Sequence, residues 1–207
     1  MINKKVKSFL SQIIILNILM IQFSGCYVTK GSVPVVSSKP IEKIPATVSL
    51  SIDLSHSFDD DRSSGGINQA RINAVKDISK KVFTNSGLFD SIDYNLWKSD
   101  LYIDLKVNEI EKGSSERAMI TGFTLLLVPA KTGATFDVTA TLKDKQGNVL
   151  GNYRSKGDFN AILHLIFILP IGWRFNIPNQ VYEAIFKDIV DQISADRPKI
   201  LSILKKS

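Results

Sequence analysis

Three segments of this 207-residue chain alternate apolar and polar residues, and that pattern limits what it can fold into. Val48, Leu50, Ile52 and Leu54 alternate with Ser49, Ser51, Asp53 and Ser55. Leu101, Ile103, Leu105 and Val107 alternate with Tyr102, Asp104, Lys106 and Asn108. Phe136, Val138, Ala140 and Leu142 alternate with Asp137, Thr139, Thr141 and Lys143. A strand of this kind buries one face and wets the other. The core must therefore contain a sheet covered on one side. Leu88 to Tyr94 reads as a short further strand. Lys145-Gln146-Gly147-Asn148 reads as a turn that returns the chain antiparallel through Val149 to Phe159.

Helical spacing supplies the cover. Ile67, Ala70, Ala74, Val75, Ile78 and Val82 recur along one helical face, and Asn85 and Gly87 can end that helix. Near the C-terminus Val181, Ile185, Ile189 and Ile193 share a face, with Asn176 or Asn179 as caps. Asp196 can cap a second short helix from Arg197 to about Lys205, where Pro198 is tolerated in the first turn. The order of elements predicts an α+β domain over residues 47–207, an antiparallel sheet with helices packed on it.

Two stretches carry no charge, Ala118–Ala130 (AMITGFTLLLVPA) and Phe159–Trp173 (FNAILHLIFILPIGW). Both are too short to span a bilayer, which takes about 20 apolar residues. One reading makes them adjacent strands buried on both faces. The other makes them an apolar surface that dips into a bilayer or receives a partner. Phe123, Leu126, Leu165, Phe167, Trp173 and Phe175 are the candidate interaction surface on the second reading.

Composition narrows the function classes. A hydrophobic content of 44% is too high for a disordered chain. One cysteine leaves no disulfide framework or multi-cysteine metal site. Asp59-Asp60-Asp61 beside His56 fails as an EF-hand loop, because Ser64 and Ala70 stand where Gly and Glu are needed. His164 lies in an apolar run, and a histidine base needs a nearby nucleophile and an orienting group. Gly65-Gly66 before a helix is too common a pair to indicate phosphate binding. Asp104 and Glu109 face opposite ways by strand parity, so no glycosidase pair is indicated. No catalytic residue, metal or cofactor is expected. A periplasmic hydrolase with a site assembled from scattered Ser, Asp and His residues is the alternative.

The N-terminus adds a destination. Lys4, Lys5 and Lys7 precede an uncharged run from Phe9 to Phe23, followed by Ser24, Gly25 and the sole cysteine, Cys26. The run has the size of a signal-peptide apolar region. Positive start, run length, two small residues and cysteine together resemble a bacterial lipoprotein precursor. Phe23 stands where that pattern has an aliphatic residue. The resemblance implies cleavage between Gly25 and Cys26, a diacylglyceryl thioether on Cys26 and acylation of the new amine. Residues 1–25 would be the signal peptide. Residues 26–46, with Pro34, Pro40, Pro45 and several Ser, would be the lipidated cysteine and a flexible tether. Two acyl chains suffice for stable anchoring.

Residues 1–25 hold three lysines and no acidic residue, so removing them lowers the net charge from +6 to +3. A basic nucleic-acid face is therefore not supported. Tyr27 is not the Asp that follows the cysteine of inner-membrane lipoproteins in enteric-type cells, and the resemblance thus favours the outer membrane. From Ile120 to Ile193 the chain also resembles small bacterial envelope lipoproteins of no known activity. They share a strand ending in Pro, a strand of alternating Thr, a Gly turn and a return strand. The expected protein is lipid-anchored, non-enzymatic, and a binding or scaffolding partner of the membrane and of another envelope component.

Overall fold

The computed structural model describes residues 25–36, 40–58, 69–96, 98–113, 130–164 and 177–205. Its elements are β1 (Gly25–Lys30), β2 (Ile44–Phe58), α1 (Gln69–Ser86), β3 (Phe89–Tyr94), β4 (Leu101–Lys112), β5 (Ala130–Asp144), β6 (Val149–His164), α2 (Ile177–Ala195) and α3 (Arg197–Leu204). The six strands form one sheet in the order β1-β6-β5-β4-β2-β3.

The sheet is mixed, which corrects the antiparallel expectation. β1, β6, β5 and β4 are antiparallel neighbours. β2 runs parallel to both β3 and β4. The cause is α1. A long connection with a helix carries the chain back to the end where it began, so the next strand runs the same way. Two-residue alternation fixes which face is buried and says nothing about strand direction.

The core lies between the sheet and the helices. Val48, Leu50, Leu54, Leu101, Ile103, Leu105, Val107, Phe136, Val138, Ala140 and Leu142 are buried, as their alternation requires. Val181, Ile185, Ile189 and Ile193 face them from α2 with no exposed area. Fully burying such a side chain contributes about 1.5–3 kcal/mol. The inward face of β6 is small in the middle, where Ser155 and Gly157 are buried. A Cβ on Gly157 would stand 2.7 Å from Val181 Cγ1, so α2 sits close against bare backbone there.

α1 is rotated from expectation. Ala70 and Ala74 are exposed, while Val75, Ser79, Val82 and Phe83 are buried. Gly87 ends the helix with φ 66°, a conformation glycine adopts without cost. The turn after β5 is organised by Asp144, which accepts the backbone N–H groups of Gln146 (2.9 Å) and Asn148 (2.8 Å). Asp196 precedes α3 without capping it by its side chain; instead it accepts the Tyr153 hydroxyl at 3.1 Å. The α2–α3 corner is thereby tied to β6.

Within residues 26–46, read from the sequence as a tether, β1 pairs with β6, and Ile44 and Ala46 are already core. Between them the chain crosses the helix layer. Val36 and Ile41 line a cleft with Val82 of α1 and Val190 of α2. Arg197 holds the end of this crossing through Glu42 (2.6 Å) and the Lys43 carbonyl (3.0 Å).

Candidate functional site

One end of the sheet gathers the features of interest. There β2 ends at Phe58, β4 at Lys112 and β6 at His164, while β5 starts at Ala130 and β1 at Gly25. The register aligns them: Phe58 pairs with Glu111, Glu111 with Ala134, Ala130 with Leu163, and Gly25 with His164.

Glu109 is the central polar group of this end. Leu101, Ile103, Leu105 and Val107 point inward, so Glu109 must too, and it is 2% exposed. A buried carboxylate needs donors, and two elements supply them. Arg71 of α1 donates its Nε–H to both oxygens, at 2.9 and 2.7 Å. Tyr182 of α2 donates its hydroxyl to Oε1. Burial, then the Glu109 charge, push the Tyr182 hydroxyl far above its ordinary pKa, so it stays a donor. Burial alone would lower the Arg71 pKa, but its bond to Glu109 and the carboxylate charge outweigh that and raise it. The Tyr182 ring lies between Phe136 (4.4 Å) and Phe186 (5.9 Å).

Two further pairs flank this cluster. His56, the β2 register partner of Glu109, places Nε2 3.3 Å from Glu111 Oε2 and meets the Phe58 ring edge-on at 5.1 Å. On β6, Asp158 accepts Lys112 Nζ at 2.9 Å and the Ser32 backbone N–H at 2.6 Å. Burial works against the Asp158 charge, but these two donors hold its carboxyl below the usual range.

Chemically, Glu109 has its lone pairs taken by Arg71 and Tyr182 and acts as a brace between α1, α2 and the sheet. Among the described residues, the His56 side-chain hydrogen bond goes to Glu111. Ser55 turns to the other face, where it bonds the Val107 carbonyl (3.3 Å) and Asn108 (3.2 Å). Among the described residues no serine or aspartate side chain is hydrogen-bonded to His56. Asp104 faces outward to Lys143 (2.6 Å) and Ser51 (2.6 Å), opposite to Glu109 as parity requires. Among the described residues no group of three or more His, Cys, Asp or Glu could hold a metal ion.

The structure places Gly25 and Cys26 in the backbone ladder of β1, opposite His164 and Leu163. Phe123, Leu126, Leu165, Phe167, Trp173 and Phe175 lie outside the described residues, as do Asp59-Asp60-Asp61, Gly65-Gly66 and Asn176. The segments that carry the interaction candidates leave the described fold after Gly113 and His164 and re-enter it at Ala130 and Ile177, and His164 and Ala130 lie at this same end. The Arg71–Glu109–Tyr182 cluster was missed from sequence. Its one signal was a charged residue at an inward position of β4.

No family model matches this chain, and no curated protein matches it. Among solved structures it is similar to a minor lipoprotein from Acinetobacter baumannii. The identity is 12%, the TM-score 0.35, and the match covers 78% of this chain and 96% of the other. Among the described residues no helix is long and apolar enough to cross a membrane.

Proposed function

We propose that this is a lipid-anchored envelope protein, acylated on Cys26, whose α+β domain binds or scaffolds another envelope component without performing a reaction. The observation that carries the reading is topological. The start of β1, where the lipid would sit, shares one end of the sheet with Ala130, the last residue of one charge-free stretch, and with His164, inside the other. A lipid on Cys26 would bring this end to the bilayer, and on this reading Phe123, Leu126, Leu165, Phe167, Trp173 and Phe175 are the surface that meets it. Aromatic residues such as Trp173 and Phe175 suit headgroup depth. The outer membrane is the expected location, given Tyr27 after the cysteine.

The test combines anchoring with orientation. Cys26→Ser should move the protein from the membrane fraction to the soluble one. In the acylated Trp97→Phe variant Trp173 is the sole tryptophan, since the chain has two. Its fluorescence should be quenched by phospholipids brominated near the headgroup. Equal membrane retention of Cys26→Ser would overturn the anchoring, and an unquenched Trp173 would overturn the orientation.

A further inference from the structure

The bond that the anchoring reading would have cleaved, Gly25–Cys26, lies within a hydrogen-bonded ladder: Gly25 pairs with His164 and Cys26 with Leu163. A peptide bond held in a sheet cannot lie extended in a peptidase. Processing therefore needs this segment off the sheet, and the structure has it on. β6 keeps β5 on its other side over the same residues, from Ala130–Leu163 to Ala134–Phe159. The outer strand can leave without dismantling the sheet, because only one ladder is lost.

The docked state is held by a latch at one residue. The Gly31 N–H donates to the Asp158 carbonyl (2.9 Å), and the Asp158 N–H donates to the Ser32 carbonyl (2.9 Å). The Ser32 N–H reaches the Asp158 carboxylate at 2.6 Å, while Lys112 holds the other carboxylate oxygen at 2.9 Å. Gly31 fits this contact because it lacks a side chain. A Cβ there would overlap the Asp158 carboxyl group, which Lys112 and Ser32 fix in place.

We propose that residues 26–32 are a releasable anchor strand, docked on β6 and latched at Asp158 to keep the domain at the bilayer, and free as a leash that lets it stand away. This rests on the anchoring reading. Seven Cα–Cα steps separate Cys26 from Val33, where the chain meets the core, and they span about 25 Å when extended. A chain with one short leash thus has two standing heights, set by whether the strand is paired.

Amide hydrogen exchange and energy transfer test this on the acylated full chain in phosphatidylethanolamine–phosphatidylglycerol vesicles. In the wild type the amides of residues 27–32 should exchange at least about tenfold more slowly than open chain. Gly31→Val and Asp158→Ala should each return them to open-chain rates, with β4 and β5 amides unchanged. A donor dye on Gln146→Cys, in the turn at the far end of the sheet, should transfer less energy to lipid acceptors in those two variants. Open-chain exchange in the wild type, or protection surviving both substitutions, would overturn the latch. Unchanged transfer with a released strand would overturn the leash alone. Loss of vesicle association by the wild type would remove the anchoring reading, and the leash with it.

Discussion

At the residue level, Glu109 carries its charge inside the fold. It is 2% exposed, and its charge is answered by Arg71, whose side chain is 44% exposed. Breaking a buried pair from one side leaves a charge without a partner. Arg71→Met is expected to cost about 1–3 kcal/mol, discounted because Arg71 is partly in water. Adding Glu109→Gln to it should recover much of that loss, because the amide carries no charge and can still accept from Tyr182. Urea denaturation of the two single variants and the double variant measures the coupling. Additive losses would mean that the pair is not a structural brace. Part of this was legible: alternation through Val107 already pointed Glu109 inward. Its partners were not, because Arg71 and Tyr182 are 38 and 73 residues away in sequence.

At the scale of the element, α2 against β6 shows how a glycine sets a helix position. Ser155 and Gly157 leave a shallow trough, and Val181 and Ile185 fill it. Gly157→Val should overpack this contact and destabilise the domain by about 1–3 kcal/mol. A thermal melt unchanged from wild type would show that α2 can shift without cost. The α2 stripe was readable because Val181, Ile185, Ile189 and Ile193 repeat cleanly. The α1 stripe was read off by a fraction of a turn. Small alanines satisfy either face, and what fixed the rotation was Phe83 packing toward Phe186 (6.4 Å) and Ser79 bonding Tyr94 (2.6 Å).

At the scale of the whole molecule, carboxylates distributed over the sheet make its stability depend on acid. Asp137 is held below the ordinary range first by Arg154. Asp100 is held low first by the Thr47 backbone N–H. Asp158 is held low by Lys112 and Ser32 against its burial. An unfolded aspartate titrates at about 3.9, so as pH falls the unfolded chain binds protons before the folded one does. The stability these groups contribute is full above that value and is lost as pH drops through their lower folded values. Urea midpoints should stay level from neutral pH down to about 5 and fall below about 4. A midpoint that holds through that range would show these contacts to be inconsequential.

Local residue pattern alone specifies the buried face of β2, β4 and β5, the turn after β5 and the inward stripe of α2, and it makes the N-terminus resemble an export and acylation signal. All of these are local: a two-residue or 3.6-residue repeat, a turn residue, or a run of side chains. It took the assembled fold to set β2 parallel to its neighbours, to bring Glu109 to Arg71 and Tyr182, and to lay residues 25–30 on the far edge of β6. Those facts depend on which distant strands become neighbours. The free energy of closing such long loops and burying their faces belongs to the whole chain, and no window of sequence contains it.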